Sequence, residues 1–198
     1  MTSDCFTRLG RSGTKRVFDA SVAGLLVVLI LPVLLAITIA IKLDGAGGVF
    51  EAQTCIGRHG RPFRLLRFRT TAAVSRGQRK GDRRVTRVGL LLKRTSMDQL
   101  PQILNVLRGE MSIVGPRPER PDIVKHLSLA IPNYDRRHSV SPGLTGQAQL
   151  NVTAKGSIER AREELRQDLY YVDHPSLRRD LAILASTVRH ALMVSSTH

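Results

Sequence analysis

The sequence predicts an α/β chain that is mostly helical, with an N-terminal re-entrant membrane helix-hairpin before a small cytoplasmic domain of amphipathic helices and short strands. Three observations lead to this prediction. A segment without any charged residue covers residues 20–41. Apolar residues recur at helical spacing in three later segments, and short alternating runs between glycines are typical of strands. The 198 residues are enough for one domain and an anchor.

The uncharged segment is long enough to cross a bilayer. As a straight helix it would measure about 33 Å, and a bilayer core is about 30 Å thick. Pro32 interrupts it, and an internal proline kinks or breaks a helix. Basic residues flank both ends, so a single span would place one basic flank outside, against the positive-inside rule. A re-entrant hairpin is therefore favoured, while a single span and a helix buried in a soluble core stay open.

The residues just before this segment are expected to meet lipid headgroups. Lys15 and Arg16 stand four and three residues before Asp19, a spacing that predicts an ion pair on a helix. With Pro32, these residues define the predicted membrane anchor. We divide the chain into a flexible N-terminus over 1–14, a re-entrant anchor helix over 15–43 and a cytoplasmic domain over 44–198.

Composition limits the partners of the chain. Lys and Arg number 31 against 16 Asp and Glu, a formal charge of +15 that attracts phosphorylated ligands, anionic lipid or other polyanions. Aromatic residues make up only 4% and Trp is absent, so the stacking platforms of nucleic-acid binders are missing. The two cysteines form no CxxC and the histidines lack metal-ligand spacing, which fits a reducing compartment without a disulfide framework.

Residues 95–107 predict a helix start around which the rest of the chain is organised. Ser96 and Gln99 have the spacing of a capping box, and Pro101 falls within the first turn, where a missing N–H is tolerated. The predicted apolar face consists of Leu100, Ile103, Leu104 and Leu107.

Asp98 is an isolated acid at the positive end of this predicted helix. Its ordinary interpretation is an N-terminal capping residue. The basic surroundings favour phosphate chemistry instead. Arg117 stands between two prolines, which would present its guanidinium rigidly for phosphate binding. The other basic residues of this neighbourhood are Arg87, Lys93 and Arg94.

The remaining elements follow from local patterns. Strands are predicted at 49–50, 62–69, 113–114 and 147–152, with Gly57 and Gly60 in the turn between the first two. The polar residues 72–82 predict a mobile loop, which is either a lid or a plain surface loop. Amphipathic helices are predicted over 157–172 and 176–194, and we interpret them as scaffold.

Several ordered blocks are shared with a known family. Through their order and spacing the chain resembles the small monotopic phosphoglycosyl transferases of bacteria, the initiating sugar transferases of capsule, exopolysaccharide and glycoprotein glycan assembly. The resemblance runs from Lys15 to about Asp180. The blocks are Lys15-Arg16-x-x-Asp19, Ile41-Lys42-Leu43, Phe63 through Phe68-Arg69-Thr70, Asp82-x-Arg84-x-Thr86-Arg87-x-Gly89, Thr95-Ser96-x-Asp98-x-Leu100-Pro101-Gln102, Asn105-Val106-Leu107-x-Gly109-Glu110-Met111-Ser112, Val114-Gly115-Pro116-Arg117-Pro118, Pro142-Gly143-x-Thr145-Gly146-x-Ala148-Gln149 and Asp168-x-Tyr170-Tyr171.

The resemblance implies an enzyme of the undecaprenyl-phosphate sugar phosphotransferase type. A nucleoside-diphosphate sugar would donate its sugar phosphate to polyprenol phosphate at the cytoplasmic face of the bacterial inner membrane. Asp98 would attack the phosphorus and form a covalent phosphosugar intermediate, with Gln99 beside it. Magnesium would be required, with Asp98 and Gln99 at its site and Glu110 as a candidate ligand to compensate for the missing acid at position 99. The substrate phosphates would bind the cations Lys93, Arg94, Arg117 and Arg87.

Three positions depart from the family pattern. Gln99 replaces the acid that usually follows the nucleophile, and an amide is a weaker magnesium ligand than a carboxylate. Cys55 replaces an arginine, and Val152-Thr153 replaces a Gly-Arg pair. Altered substrate choice or lost activity therefore stays open, with a non-catalytic membrane-anchored homologue and a basic polyanion-binding protein as alternatives. The sugar, the nucleotide base, the glycan pathway and the oligomeric state, including a homodimer, also stay open.

Overall fold

The computed structural model describes residues 3–45, 47–72, 84–151 and 158–195. These residues form seven described α-helices and two small sheets, so the expectation of a mostly helical chain with short strands is confirmed. Short 3₁₀ turns lie at Arg58–Gly60, Met97–Gln99 and Tyr134–Ser139. In chain order the elements are α1 (Ser3–Leu43), β1 (Phe50–Ile56), β2 (Pro62–Phe68), α2 (Arg87–Arg94), α3 (Gln102–Arg108), β3 (Ser112–Val114), α4 (Pro121–Ala130), β4 (Gly143–Thr145), α5 (Gln147–Asn151), α6 (Ile158–Asp173) and α7 (Leu177–Ser195).

Helix α1 is a single helix of 41 residues that contains Pro32. The predicted break at this proline is therefore wrong, whereas the predicted kink and the re-entrant course of the helix in a membrane stay predictions. A proline removes one backbone hydrogen bond, and here the neighbouring Ile30 and Leu34 are partly buried against the two core clusters. The helix also includes residues 3–14, where the sequence leads us to expect a flexible terminus.

Helix α1 contacts the domain near both ends of its uncharged segment. Ala23 is fully buried in the main core, and Ile37 and Ile41 are buried in a second cluster with Phe68 and Leu92. The opposite side of the helix exposes large apolar residues: Val17, Leu25, Val28, Leu29, Leu35, Ile39 and Leu43. The helix is thus part of the core of the protein rather than an appendage to it.

Strands β1 and β2 form an antiparallel hairpin, with Phe50 opposite Phe68 and Ile56 opposite Pro62. The second predicted strand is confirmed, whereas the first is longer than the predicted 49–50 and covers Phe50–Ile56. The hairpin turn contains His59 in the left-handed region, at φ 57°. Helix α3 packs against the hairpin through Asn105, which is fully buried. The Asn105 side chain accepts from the backbone N–H of Leu66 and donates to the carbonyl of Arg64.

The buried face of α3 differs from the predicted one. Gln102 and Asn105 are buried together with Ile103 and Val106, whereas Leu107 is exposed. The spacing of apolar residues did not predict this face, because the side chain that contacts the hairpin is the amide of Asn105 rather than an aliphatic group.

Strands β3 and β4 form a parallel pair, with Ser112 opposite Gly143 and Val114 opposite Thr145. The predicted strand at 113–114 is confirmed, but β4 lies within a segment expected to be a loop. The predicted strand at 147–152 is wrong, since residues 147–151 form helix α5. Its alternation of apolar and polar residues is too short to distinguish a strand from a single helical turn.

The two C-terminal helices are confirmed as α6 and α7. Leu165 of α6 and Ile183 of α7 are buried in separate core clusters. Most of the predicted loop at 72–82 lies outside the described residues. Helices α2 and α4 were not anticipated from the sequence.

Candidate functional site

Asp98 lies in the 3₁₀ turn Met97–Gln99, four residues before α3 begins. Ser96 adopts a left-handed conformation, with φ 56°, and its side chain makes no capping hydrogen bond. The predicted capping box is therefore wrong, because Ser96 does not have the extended backbone that a capping residue requires. Pro101 immediately precedes α3 rather than standing inside its first turn. Asp98 is thus not a cap of α3.

The charged partner of Asp98 comes from the hairpin. Asp98 is only 8% exposed, and Nη1 of Arg67 lies 3.8 Å from its carboxylate. The Nε atom of Arg67 is buried and makes no hydrogen bond within the described part of the chain. The guanidinium therefore keeps a donor that protein atoms do not use, beside a buried carboxylate.

A second group of ionisable side chains surrounds Arg67. Burial raises the pKa of Cys55, and the positive charge of Arg67 opposes that rise. Burial also raises the pKa of Glu119, which the charges of Arg137, Arg117 and Arg67 oppose. Arg67 and Arg117 thus act on the same two groups, so the hairpin and the Pro-Arg-Pro turn share one electrostatic neighbourhood.

The Pro-Arg-Pro turn is held by close contact between backbones. Gly115 N–H donates to the carbonyl of Thr145 and Gly143 N–H donates to the carbonyl of Pro116, both at 2.9 Å. A Cβ atom at Gly143 would collide with the backbone nitrogen of Gly115, and one at Gly146 would collide with its carbonyl oxygen. Only glycine permits this approach. The two turn-rich blocks of the sequence therefore form one rigid unit that carries Arg117, which is exposed.

The other predicted phosphate-binding cations lie at two ends of α2. Lys93 and Arg94 are exposed in its last turn, directly before the turn that carries Asp98. Arg87 is the first residue of α2, near Asp44 at the opposite end of that helix. Hydrogen bonds from Thr86 and from the Val88 N–H lower the pKa of Asp44, and the Arg87 charge adds to this. The structure places Lys93 and Arg94 beside the Asp98 turn, and Arg87 away from it.

The three predicted magnesium ligands are not brought together. Asp98 and Gln99 precede α3, whereas Glu110 follows its C-terminal end, roughly 10 Å along the helix. The Glu110 carboxylate accepts a 2.6 Å hydrogen bond from Asn105. Among the described residues, no three His, Cys, Asp or Glu side chains form a cluster that could hold a metal ion.

Three of the four predicted anchor residues contact the domain, namely Lys15, Arg16 and Asp19, whereas Pro32 is exposed. The expected ion pair between Lys15 and Asp19 is present at 3.8 Å, but Lys15 also pairs with Asp180 at 2.8 Å. Asp19 is 4% exposed and accepts from the hydroxyl of Ser112 and the N–H of Ile113. The Asp19 carboxylate is thus buried and bonded inside the protein, while the contact of Lys15 and Arg16 with lipid headgroups stays a prediction.

Arg16 binds the C-terminal end of α3. Its guanidinium donates to the carbonyls of Val106 and Leu107. The Val106 carbonyl also accepts from the N–H of Gly109, and a cation beside the last carbonyls of a helix is favourable. The chain leaves α3 through Gly109, which has φ 87° and packs beside the same guanidinium. The anchor helix therefore fixes the end of α3 opposite to Asp98.

Sequence reasoning missed three residues of the site: Arg67, Glu119 and Arg137. A signal for Arg67 was available, because strand alternation places it on the same face of β2 as Phe63 and the buried Leu65. A charge on the apolar face of a strand marks a side chain with a buried partner. No comparable signal existed for Arg137, whose burial depends on the packing of distant helices.

Comparison with known proteins identifies relatives over nearly the whole chain. A family described as "Bacterial sugar transferase" matches residues 10–194. The UDP-glucose:undecaprenyl-phosphate glucose-1-phosphate transferase of Caulobacter vibrioides is 42% identical over 192 residues, covering 93% of this chain and 72% of the relative. Exopolysaccharide production protein PSS of Rhizobium leguminosarum bv. phaseoli is 38% identical over 190 residues, covering 88% of this chain and 92% of the relative.

A third relative is considerably longer than this chain. The UDP-N-acetylgalactosamine-undecaprenyl-phosphate N-acetylgalactosaminephosphotransferase of Aeromonas hydrophila is 37% identical over 183 residues, which cover 90% of this chain and 43% of the relative. The chain thus spans less than half of that protein. The printed names of these relatives include two different sugars, glucose and N-acetylgalactosamine.

Proposed function

The chain belongs to the bacterial sugar transferase family, and on that premise we propose that it transfers a sugar 1-phosphate from a nucleoside-diphosphate sugar to undecaprenyl phosphate. The observation that carries the proposal is the buried carboxylate of Asp98 facing Arg67 at 3.8 Å. The related enzymes named above act on undecaprenyl phosphate with UDP-glucose or UDP-N-acetylgalactosamine. The product would begin the assembly of an exopolysaccharide or a related glycan.

Asp98 would act as the nucleophile in the first half of the reaction. A carboxylate oxygen attacks the phosphorus that bears the sugar, and an aspartyl phosphate bond forms as the bond to the nucleoside monophosphate breaks. The nucleoside monophosphate leaves with the bridging oxygen and its negative charge. Arg67, whose Nη1 lies 3.8 Å from the Asp98 carboxylate, would neutralise charge on the transferred phosphoryl oxygens.

The second half returns Asp98 to its free form. A phosphate oxygen of the lipid attacks the same phosphorus, and the bond between that phosphorus and the Asp98 oxygen breaks. The product is a polyprenyl diphosphate sugar. Phosphoryl transfer depends mainly on positioning and on neutralising negative charge. Lys93 and Arg94 are exposed directly before the Asp98 turn and, with the exposed Arg117 of the Pro-Arg-Pro turn, would supply cations for the two phosphorylated substrates.

Magnesium remains part of the proposal, with fewer protein ligands than the sequence suggested. Magnesium is usually held by one or two carboxylates together with substrate phosphates and water. Asp98 and Gln99 offer one carboxylate and one amide oxygen, which fits such a mode. Glu110 is engaged with Asn105 beyond the other end of α3 and does not complete the set. The ion would neutralise the diphosphate of the donor.

Helix α1 would attach the protein to one face of the membrane without crossing it. It is long and apolar enough to span a bilayer. However, residues at both ends of its apolar segment contact the same domain, through Asp19 at one end and Ile41 at the other. A spanning helix would have to draw the domain into the bilayer. The exposed apolar side of α1 suits a position in the membrane interface, with the domain above it.

Intact-mass spectrometry tests the proposed chemistry. Detergent-solubilised protein is mixed with UDP-glucose, UDP-galactose, UDP-N-acetylglucosamine or UDP-N-acetylgalactosamine, without lipid acceptor. We expect a mass increase equal to one sugar phosphate with at least one donor, located on Asp98 by peptide mapping. Undecaprenyl phosphate should then remove the adduct and form the lipid-linked product.

Two variants control this experiment. Asp98→Asn should abolish the adduct, since an amide is not a nucleophile of this kind. Asp122→Asn changes an exposed acid that pairs with Arg120 and should leave the adduct unchanged. If the natural chain forms no adduct with any donor while Gln99→Glu does, the protein is a non-catalytic homologue and the proposal is wrong.

A further inference from the structure

Arg137 is the most deeply buried arginine near the Arg117 turn. It lies in the 3₁₀ turn Tyr134–Ser139, with a side chain 6% exposed. Its Nη2 atom is 2.8 Å from the carboxylate of Asp168 on α6, and its Nη1 donates to the hydroxyl of Tyr134. Nη2 also donates to the backbone carbonyl of Arg117 at 3.0 Å.

A buried ion pair needs an explanation beyond stability. Removing two charges from water is costly, and well-packed apolar residues often stabilise a fold as well or better. An exposed ion pair, Arg136 with Asp173, already joins the same 3₁₀ turn to the same helix. Arg137 differs from the exposed pair because it also donates a hydrogen bond to the backbone carbonyl of Arg117.

The two carbonyls that flank the backbone of Arg117 are both held. The carbonyl of Pro116 accepts from the N–H of Gly143, and that of Arg117 accepts from Arg137. Prolines at 116 and 118 fix φ at their own positions, but the peptide plane after Arg117 still has rotational freedom about ψ. The bond from Arg137 removes that freedom, so the exposed Arg117 side chain starts from a fixed backbone.

We propose that Arg137, oriented by Asp168, is a positioning residue that fixes the Arg117 backbone so that the Arg117 guanidinium is presented to the donor diphosphate. This inference rests on the proposed function. Arg137 itself is buried and does not touch the substrate. Its effect on the reaction passes through Arg117, and this dependence separates a positioning role from a purely structural one.

Steady-state kinetics with the full-length protein test the inference. Arg137→Lys keeps the charge but cannot bind Asp168, Tyr134 and Arg117 together, because an ammonium lacks the planar fork. Asp168→Asn removes the charge that orients Arg137. We expect each variant to lower kcat/KM for the nucleotide sugar by on the order of tenfold to a hundredfold, mainly through KM. Asp173→Asn, the matched change in the exposed pair, should leave kcat/KM within about twofold of the natural protein.

The double variant decides whether Arg137 acts through Arg117. Arg117→Ala alone should raise KM, and adding Arg137→Lys to Arg117→Ala should then cause no further loss. Each protein is first shown to unfold cooperatively. If Arg137→Lys does not fold, Tyr134→Phe takes its place, since it removes one hydroxyl contact and should lower kcat/KM in the same direction by less.

The outcomes separate the inference from the proposed function. The positioning role would be overturned if the losses of kcat/KM caused by Arg117→Ala and by Arg137→Lys add fully in the double variant. It would also be overturned if Arg137→Lys and Asp168→Asn both leave the kinetics unchanged. In either case the transferase activity of the natural protein would still stand. Unchanged kinetics of Arg117→Ala would overturn the role of Arg117 and the inference with it. Absence of any adduct or product from the natural protein would instead refute the proposed function.

Discussion

At the scale of single residues, the site pairs one buried acid with one arginine from a distant strand. Asp98 is surrounded by basic residues in the sequence, yet among the described residues the cation within ion-pair distance of it is Arg67, 31 positions earlier in the chain. The adjacent Lys93 and Arg94 are exposed and available to approaching phosphates. The local basic cluster would thus attract substrates, while Arg67 would act on the reacting phosphoryl group.

Arg67→Gln tests that division of roles. Removing a cation that stabilises transition-state charge typically costs a hundredfold to a thousandfold in rate, so we expect a fall in kcat of about a hundredfold with a smaller change in KM. The measurement is single-turnover formation of the Asp98 adduct. Arg64→Gln is the matched control, since Arg64 lies on the same strand with its side chain exposed. Equal effects of the two changes would contradict a specific role for Arg67.

Asp168 makes a pH-dependent contribution to stability that differs from that of an ordinary ion pair. Burial raises its pKa from 3.8 to about 6; the Arg137 guanidinium opposes the rise, and the charges of Glu164 and Glu119 add to it. Between about pH 4 and 6 the folded protein therefore holds a proton that the unfolded chain has released. Stability then falls as pH rises through this window and levels off above about pH 6.

Chemical denaturation of the natural protein and of Asp168→Asn at several pH values measures this contribution. The stability difference between the two proteins should become less favourable to the natural protein by up to about 1.4 kcal/mol per pH unit from about pH 4 to 6. Asp173→Asn should show no such trend, because Asp173 is 46% exposed. A difference that grows with pH would show that pairing with Arg137 outweighs burial.

At the scale of secondary structure, local sequence patterns were sufficient to predict an element where the segment is amphipathic or where glycines mark its turn. The hairpin was predictable because strand alternation and two turn glycines agree, and α6 and α7 because their apolar residues repeat over several turns. The seven residues of α3 were harder, since Asn105 is buried to bind the hairpin backbone. Helix α5 has five residues, too few for a period to decide between helix and strand.

For helix α1, the sequence predicted the apolar character but not the packing against the domain. Its apolar composition is evident from the sequence, but composition does not show which side of a helix the domain covers. The flanking charges favoured a hairpin over a single span, and in the structure one continuous helix contacts the domain near both ends of its uncharged segment. Buried Ala23, Ile37 and Ile41 define that covered side.

Cysteine labelling in membrane vesicles tests the position of α1. In a background lacking Cys5 and Cys55, single cysteines replace Val17, Leu29 or Leu43, all of them exposed. A membrane-impermeant maleimide should label positions 17 and 43 from the same face, because both lie outside the uncharged segment 20–41. Position 29 should be labelled only after detergent is added, since the middle of that uncharged segment would be in lipid.

An exposed domain position provides the control for that experiment. Arg64→Cys should be labelled from the same face as positions 17 and 43, with or without detergent. Labelling of positions 17 and 43 from opposite faces would demonstrate a spanning helix. Ready labelling of position 29 in intact vesicles would show that this side of α1 faces water.

At the scale of the whole molecule, the anchor and the candidate site are mechanically connected. Arg16 binds the C-terminal carbonyls of α3, and the Asp98 turn precedes the N-terminus of the same helix. Lys15 and Tyr171 both contact the buried Asp180, which links α1 to the two C-terminal helices. The resemblance located Asp98 and Arg117 from the sequence alone, but it could not reveal these connections, which depend on side chains far apart in the chain.

The division into an anchor and an independent domain can therefore be tested by truncation. A chain that starts at Asp44 would lose Ala23, Ile37 and Ile41 from two core clusters. Each large buried apolar side chain contributes about 1.5–3 kcal/mol, and a whole domain is stable by only about 5–15 kcal/mol. We expect the truncated chain to lack a cooperative thermal transition, with or without detergent, in circular dichroism. A chain starting at residue 13 keeps those contacts and should unfold like the full protein. Cooperative unfolding of the shorter chain at an unchanged Tm would show that residues 44–198 fold independently of α1.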